Sequence, residues 1–346
     1  MNPIALYLGN TVVFWNGIMV ALAVAAGFFL GYAVYTAHSG TGATLWIMLP
    51  VALALSLIFS RLLHYICYPS AYDSLFSALT SLTSGGYCMQ GMIIGVILAA
   101  VIVARSGLAE SAGIILDAMA PGLALTCGLI KLSDIFNSSC RGKISITNKS
   151  LQHLPLASPL TDAGGKQDYR LATFFLEFIA FLVVMAVLLV IYNKYHSRPM
   201  KKPCPRTGHI ARIFFTLFGL IEVICDSTRY DAPHMKFSSG NAIGRLLTKA
   251  SGFIGMGMLF AAILVLCMFV YYSRMSCAAN GRKAKHIILW ILYVITLLGA
   301  GGSEYLYQRF GWVWLYGTMG ICLIIMGACV IIMYNTCVAR PAKRQE

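Results

Sequence analysis

The chain reads as an all-α polytopic membrane protein of about nine transmembrane helices with a small extracytoplasmic cap. Of its 346 residues, 59% are hydrophobic and 11% charged, where a soluble domain carries about 25% charge. Apolar runs long enough to cross a bilayer recur from end to end. A window of about 19 residues finds them near 12-36, 45-67, 86-104, 112-130, 171-193, 209-227, 250-272, 287-300 and 312-334.

The first run has no basic segment and no small-residue cleavage site before it, so it reads as a retained span and not a cleaved signal. The second ends in Arg61 and His64. The third opens at Gln90, the fourth ends at Lys131, the fifth opens near Glu177, and the sixth closes on Glu222. The eighth is the weakest, being short and running into Gly299, Gly301 and Gly302. Between the second and third, Asp73 to Ser84 is rich in Ser, Thr and Leu and too short to cross, which predicts a re-entrant or interfacial element. The stretch 140-168 is the long polar loop and is expected to form the cap.

Basic residues set the orientation. Lys194, Arg198, Lys201, Lys202 and Arg206 crowd one short loop, Arg274, Arg282, Lys283 and Lys285 another, and Arg340, Lys343 and Arg344 the tail. With nine spans these fall on one side, which places them in the cytoplasm and the N-terminus outside. The net charge of +14 therefore belongs to loops beside lipid headgroups, and nucleic acid is excluded as a partner. Of eleven cysteines, Cys67, Cys127, Cys225, Cys267, Cys322 and Cys329 lie within apolar runs and no CxxC pair occurs. They read as small packing residues, with neither disulfides nor a metal site expected. His209, His234 and His286 are placed in loops without ligand spacing.

Polar residues inside the apolar runs carry the functional signal, because ionisable groups at membrane depth are costly. Arg61 with His64 and Tyr68, Lys131 with Asp134, and Glu222 with Asp226 and Arg229 are each spaced three, four or seven residues apart, so each set shares a helix face. In the topology above, these sets, Asn16 and Gln90 all fall in the outer half of the membrane. Such convergence predicts a lipid-headgroup or solute site facing the extracytoplasmic leaflet. Plainer roles fit the same residues: structural ion pairs for Glu222, Asp226 and Arg229, a helix-end pair for Lys131 and Asp134, and a helix–helix hydrogen bond for Gln90.

Several segments occur in an ordered series. They are Phe14-Trp15-Asn16-Gly17-Ile18-Met19, then Gly85-Gly86-Tyr87-Cys88-Met89-Gln90-Gly91 followed by Gly95-Val96, then Asp117 with Ala120-Pro121, then Gly128 through Asn137. Leu176-Glu177 and Arg229-Tyr230-Asp231-Ala232 continue it. The series resembles the signature blocks of the bacterial prolipoprotein diacylglyceryl transferases, from about residue 12 to about 272. The resemblance implies a membrane domain over 1-275 and a two-helix extension with a basic tail over 276-346. It also implies a reaction, transfer of the diacylglyceryl group of phosphatidylglycerol to a lipobox cysteine thiol with release of glycerol phosphate. The partners it implies are a phosphatidylglycerol-like phospholipid and a prolipoprotein lipobox peptide in the membrane, with no cofactor.

By the same blocks, Lys131 and Asp134 stand where the family has its fourth-helix arginine and asparagine. Gln90 stands at its histidine, Asn16 at its tyrosine and Glu222 at its sixth-helix arginine, while Asn137 is retained. The resemblance thus assigns catalytic positions to Lys131, Asp134, Gln90 and Glu222 and substrate-binding positions to Asn16, Asn137 and Arg229, and the shared helix faces add Arg61, His64, Tyr68 and Asp226 to the substrate-binding set. Arg61, Lys131 and Arg229 face Asp117, Asp134, Glu177, Glu222 and Asp226, a net negative interior if all are ionised. That is a poor cradle for phosphate, so either the headgroup differs or the site binds lipid without this chemistry. A lipid- or cation-binding transport protein on the same scaffold is the rival reading, with a polar path through Glu177 and Asp117. Glu222 is expected to pair with Arg61 or Arg229.

Overall fold

The computed structural model describes residues 4–8, 11–38, 41–67, 71–81, 85–137, 141–161, 167–196, 207–230, 256–280 and 284–338. A short antiparallel hairpin, β1 (Ile4–Leu8) and β2 (Thr11–Phe14), leads directly into α1 (Trp15–His38). Then follow α2 (Ala43–Cys67), α3 (Leu75–Thr80), α4 (Met89–Arg105) and α5 (Ala112–Ser133), which tightens into a 3₁₀ turn over Asp134–Phe136. A small polar unit comprises α6 (Lys149–Gln152), β3 (Ala157–Thr161) and β4 (Gln167–Leu171). The chain closes with α7 (Thr173–His196), α8 (His209–Thr228), α9 (Met256–Asn280), α10 (Ala284–Phe310) and α11 (Leu315–Val338).

Among the described residues, seven helices are long and apolar enough to cross a membrane: α1, α2, α5, α7, α9, α10 and α11. The protein is a multi-pass, overwhelmingly helical membrane protein. The expected count of nine is narrowed, since α4 has 17 residues and α8 carries Arg212, Glu222 and Asp226; both stand where the third and sixth spans are expected. The eighth expected span is corrected in length. A Cβ at Gly301 or Gly302 would meet open space, and these glycines do not break α10, which runs on to Phe310 and stops at Gly311. There a left-handed backbone (φ +71°) lets the Gly311 N–H close on the Tyr307 carbonyl at 2.7 Å. Among the described residues of the Asp73 to Ser84 stretch, the helix is the six-residue α3, too short to span.

Two cores hold the helices. The first joins α1, α2, α4, α5, α7 and α8 around residues such as Phe28, Met48, Ile115, Phe181 and Phe214. The second joins α8 to α9, α10 and α11 around Val223, Phe269, Tyr293 and Met326, so packing is continuous across residue 275. Small residues let backbones touch: a Cβ at Gly122 would stand 2.1 Å from the Gly27 carbonyl oxygen of α1, and one at Gly91 2.3 Å from the Phe59 carbonyl oxygen of α2. Close approach of this kind replaces the hydrophobic drive that lipid removes.

The polar unit is stitched to the helix ends. Gly142 bridges Arg229, Ser145 bridges Arg170, and β3 pairs with β4 from Ala157↔Leu171 to Thr161↔Gln167. Asp168 accepts from the Ser145 hydroxyl at 2.7 Å and from Arg170 Nε at 3.1 Å. The Ser145 hydrogen bond and then the Arg170 charge hold its carboxyl below the usual carboxylate range.

Candidate functional site

Lys131 and Glu222 end apolar helices, Glu177 and Gln90 begin them, and the alternating direction of the helices brings these four ends together. Lys131, in the last turn of α5, forms ion pairs with Glu177 of α7 and, at 3.1 Å, with Glu222 of α8. Gln90 Nε2 of α4 donates to the other Glu222 oxygen at 3.2 Å, and the Cys88 thiol donates to Gln90 Oε1 at 2.7 Å. One turn beyond Glu222, Asp226 pairs with Arg229 at 3.0 Å. Lys131, Glu177, Glu222 and Asp226 are all buried, so the cluster sits where opposite charges attract strongly and unpaired ones are costly.

Asn16 belongs to the same end, its Nδ2 donating to the Ser133 hydroxyl at 3.1 Å and tying α1 to the close of α5. Asp134 is the C-cap of α5, and the Asn137 N–H closes on its carbonyl at 3.1 Å. The ion pairs of Lys131 therefore run to Glu177 and Glu222, across helices, and the expected same-face pairing with Asp134 is replaced. A helix-end lysine has the length to reach two neighbouring helices, and buried carboxylates hold it more firmly than a half-exposed one.

Arg61 corrects the sequence reading most. It is 1% exposed and does not pair with Glu222. Its guanidinium donates to the carbonyls of Ala78 (2.8 Å), Ser81, Gly85 and Gly86 (3.2 Å), to the Ser81 hydroxyl (2.8 Å) and to the Tyr72 hydroxyl (3.1 Å). Ala78 and Ser81 close the short α3, whose last carbonyls have no intrahelical partner, and Gly85 and Gly86 lie outside any helix; a planar five-donor fork supplies their donors. His64 joins through its Nδ1, 2.9 Å from the Tyr72 hydroxyl. Tyr68, expected on the same face, lies outside the described residues.

Other assignments move as well. Glu177, absent from the expected site set, is completely buried beside Lys131; its position near the start of an apolar helix was the available signal. Asp117 stands at the opposite end of α5, where its carboxylate accepts the Gly208 and Ala211 N–H groups at 2.7 and 2.8 Å and caps α8. Glu177 and Asp117 are thus held apart by the length of α5. His209 and His286 are helix residues, buried and paired with Tyr272 and Ser276; His234 lies outside the described residues.

An apolar cavity opens between α1, α2, α4 and α5, walled by Phe28, Met48, Met89, Met92, Met119 and Ile130 among others. Met89 and Ile130 adjoin Gln90 and Lys131 in the chain, so apolar wall and polar cluster share the same helical turns. A second cluster joins the far helices to the site: Glu304 of α10 is buried, accepts from the Ser227 hydroxyl, and lies 3.5 Å from Lys143 of the polar unit. Lys143 also donates to the Ser227 carbonyl at 2.8 Å, as Tyr316 does at 3.3 Å.

These features define a class, an integral membrane protein with a charged site at one end of its helices beside an apolar cavity, the form needed to handle an amphipathic molecule. Residues 3–297 match the family model of the prolipoprotein diacylglyceryl transferases, and the chain belongs to that family. It is 24% identical over 280 residues to the phosphatidylglycerol–prolipoprotein diacylglyceryl transferase of Brucella anthropi, covering 77% of this chain and 89% of the relative. The same identity and coverage hold over 284 residues for the enzyme of that name from Brucella canis. The family and these relatives are transferases of lipoprotein biosynthesis.

Proposed function

We propose that the protein is a membrane transferase that moves a diacylglyceryl group from a glycerophospholipid to the thiol of a lipoprotein cysteine. The observation that carries this reading is the meeting of polar side chains from α4, α5, α7 and α8, two of which, Gln90 and Lys131, stand on turns of α4 and α5 that also wall an apolar cavity. Acyl chains fill the cavity, and the glyceryl carbon lies at the level of Gln90, Lys131 and Glu222. The thiol sulfur bonds that carbon, its C–O bond to phosphate breaks, and the headgroup phosphate leaves with the bonding pair. Glu222 takes the thiol proton, and Lys131 offsets the charge that develops. Asp134 and Asn137 close the end of α5, Asn16 fixes α1 against it, and Asp226 with Arg229 steadies the last turn of α8. Arg61 and His64 act on the substrate by holding the segment that carries Tyr87, and Tyr68 stays in the substrate-binding set. Nine spans, an outer cap over 140-168, an outer N-terminus and a cytoplasmic tail complete this reading.

The test follows labelled diacylglyceryl transfer to a lipobox peptide in a strain depleted of its own transferase. Labelled peptide is the expected product, and its absence with a folded protein in the membrane removes the reading. One observation favours a second reading, a lipid- or cation-binding protein without transfer: Lys131 is enclosed by two carboxylates, which leaves less of its charge for phosphate.

A further inference from the structure

The last turn of α8 ends in carbonyls that its own helix does not bond, and two other parts of the chain supply donors to them. Lys143 Nζ of the polar unit and the Tyr316 hydroxyl of α11 both donate to the Ser227 carbonyl, at 2.8 and 3.3 Å. The Lys143 N–H donates to the Thr228 carbonyl at 2.7 Å and the Tyr230 N–H to the Arg141 carbonyl at 2.8 Å, so residues 141–143 run along 228–230 as a short antiparallel edge. Glu304 of α10 grips both sides of this edge. It is 3% exposed, and one of its oxygens accepts from the Ser227 hydroxyl. The other accepts from Gln308 Nε2 at 2.6 Å and lies 3.5 Å from the Lys143 ammonium, which also faces the Tyr307 ring at 5.7 Å. Glu304, Tyr307 and Tyr316 all lie past residue 297, where the match to the family model ends.

A buried carboxylate shared between an ammonium and a hydroxyl fixes both, because displacing either leaves a buried charge without its counterpart. Ser227 follows Asp226, and Glu222 stands one turn before Asp226, so the rotation of this turn sets the reach of Glu222 to Lys131 and Gln90. Small displacements of a reacting group are costly in rate. We propose that Glu304 is a positioning residue: by clamping Ser227 and Lys143 together it locks the last turn of α8 to the polar unit and holds Glu222 at the site. The end of the chain thereby serves the site from a distance. The inference rests on the transferase reading for its effect on rate, whereas the clamp is measurable without turnover.

The parent, Glu304→Gln and Ser227→Ala are compared as full chains in phosphatidylglycerol nanodiscs. Glu304→Gln keeps the shape of the side chain and an oxygen for Ser227 but loses the charge that holds Lys143, and Ser227→Ala removes one hydroxyl alone. Hydrogen exchange read by mass spectrometry is expected to rise about tenfold in peptides spanning 141–145 and 225–230 in both variants, while α4 and α5 stay protected. In labelled diacylglyceryl transfer to a lipobox peptide, kcat per folded molecule is expected to fall about tenfold. KM for the lipid should not change, because the cavity is walled by α1, α2, α4 and α5. A merely structural role would lower the folded fraction and leave kcat per folded molecule as in the parent. Exchange in these two segments equal to the parent's overturns the proposal, and so does loosened exchange with kcat unchanged. A parent that transfers nothing removes the transferase reading, and the exchange comparison then decides the clamp by itself.

Discussion

The ammonium of Lys131 stands 3.1 Å from a carboxylate oxygen of Glu222, joining the last turn of α5 to α8 inside the membrane body. Glu177 approaches the same ammonium from α7, so one cation joins three helices. Removing it differs in kind from removing either acid.

Replacing Lys131 by Met leaves two buried acids facing each other. The loss is expected to reach about 3–5 kcal/mol, the usual cost of an uncompensated buried charge. Lys131→Arg keeps the charge and adds a fork able to bond both carboxylates, so it should restore stability. Thermal unfolding in detergent, followed by size-exclusion fluorescence, compares the pair; a Met variant as stable as the parent refutes the bridging role.

Glu222→Gln is expected to be mild. Lys131 keeps Glu177, and the new amide can still meet Gln90, so the loss should stay near 1 kcal/mol, the net worth of one hydrogen bond. A double-mutant cycle with Lys131→Met measures the pair directly, since residues in contact show non-additive losses. Additive losses would show that the two side chains do not interact.

Arg61→Met orphans several buried carbonyls at once. With each unsatisfied group costing about 1–3 kcal/mol, the segment carrying α3 should come loose from α2. Limited proteolysis between Tyr72 and Tyr87 should become rapid. Lys in place of Arg61 supplies charge without the fork and should rescue little.

Glu304→Leu removes the acid that receives Ser227 and faces Lys143. A drop of about 2–4 kcal/mol is expected for breaking a buried, hydrogen-bonded pair. Lys143→Met in the same background should add less than it does alone, a comparison made by melting temperature.

Asp168 contributes a pH dependence to the polar unit. Its folded carboxyl titrates below the ordinary aspartate value of about 3.9, so its contribution is present above that value and is lost as pH falls through the lower, folded one. Backbone hydrogen exchange in β3 and β4, corrected for intrinsic rates, should lose protection below about pH 3.9, and Asp168→Asn should abolish that dependence. Protection unchanged down to pH 2 in the parent would show that Asp168 does not hold the hairpin.

Class, element positions and the polar end of the bundle were legible in the residues. Apolar runs of bilayer length leave a helix as the spanning structure that satisfies every backbone group, and each run became a helix, although the seventh and eighth run on to Asn280 and Phe310, well past their expected ends. The polar residues that close one run and open the next met at one end, as alternating direction requires. What was not legible was which helix each face meets. A three- or four-residue spacing places Asp134 near Lys131 and Arg229 near Asp226, because those neighbours are local. It says nothing of Glu177, far along the chain, or of Arg61 spending its donors on the carbonyls of Ala78 to Gly86.

The sequence by itself determined a membrane protein with charges buried at one end, because composition and periodicity are local properties of the chain. Only the tertiary structure decided that Lys131 belongs to Glu177 and Glu222, that Asp117 caps α8 and that Glu304 binds the far helices to the site. Those choices depend on the rotation and depth at which helices pack, where contacts such as Gly27 against Gly122 bring backbones together. In a medium of low dielectric, a difference of an ångström or two in that packing selects the partner of a charge.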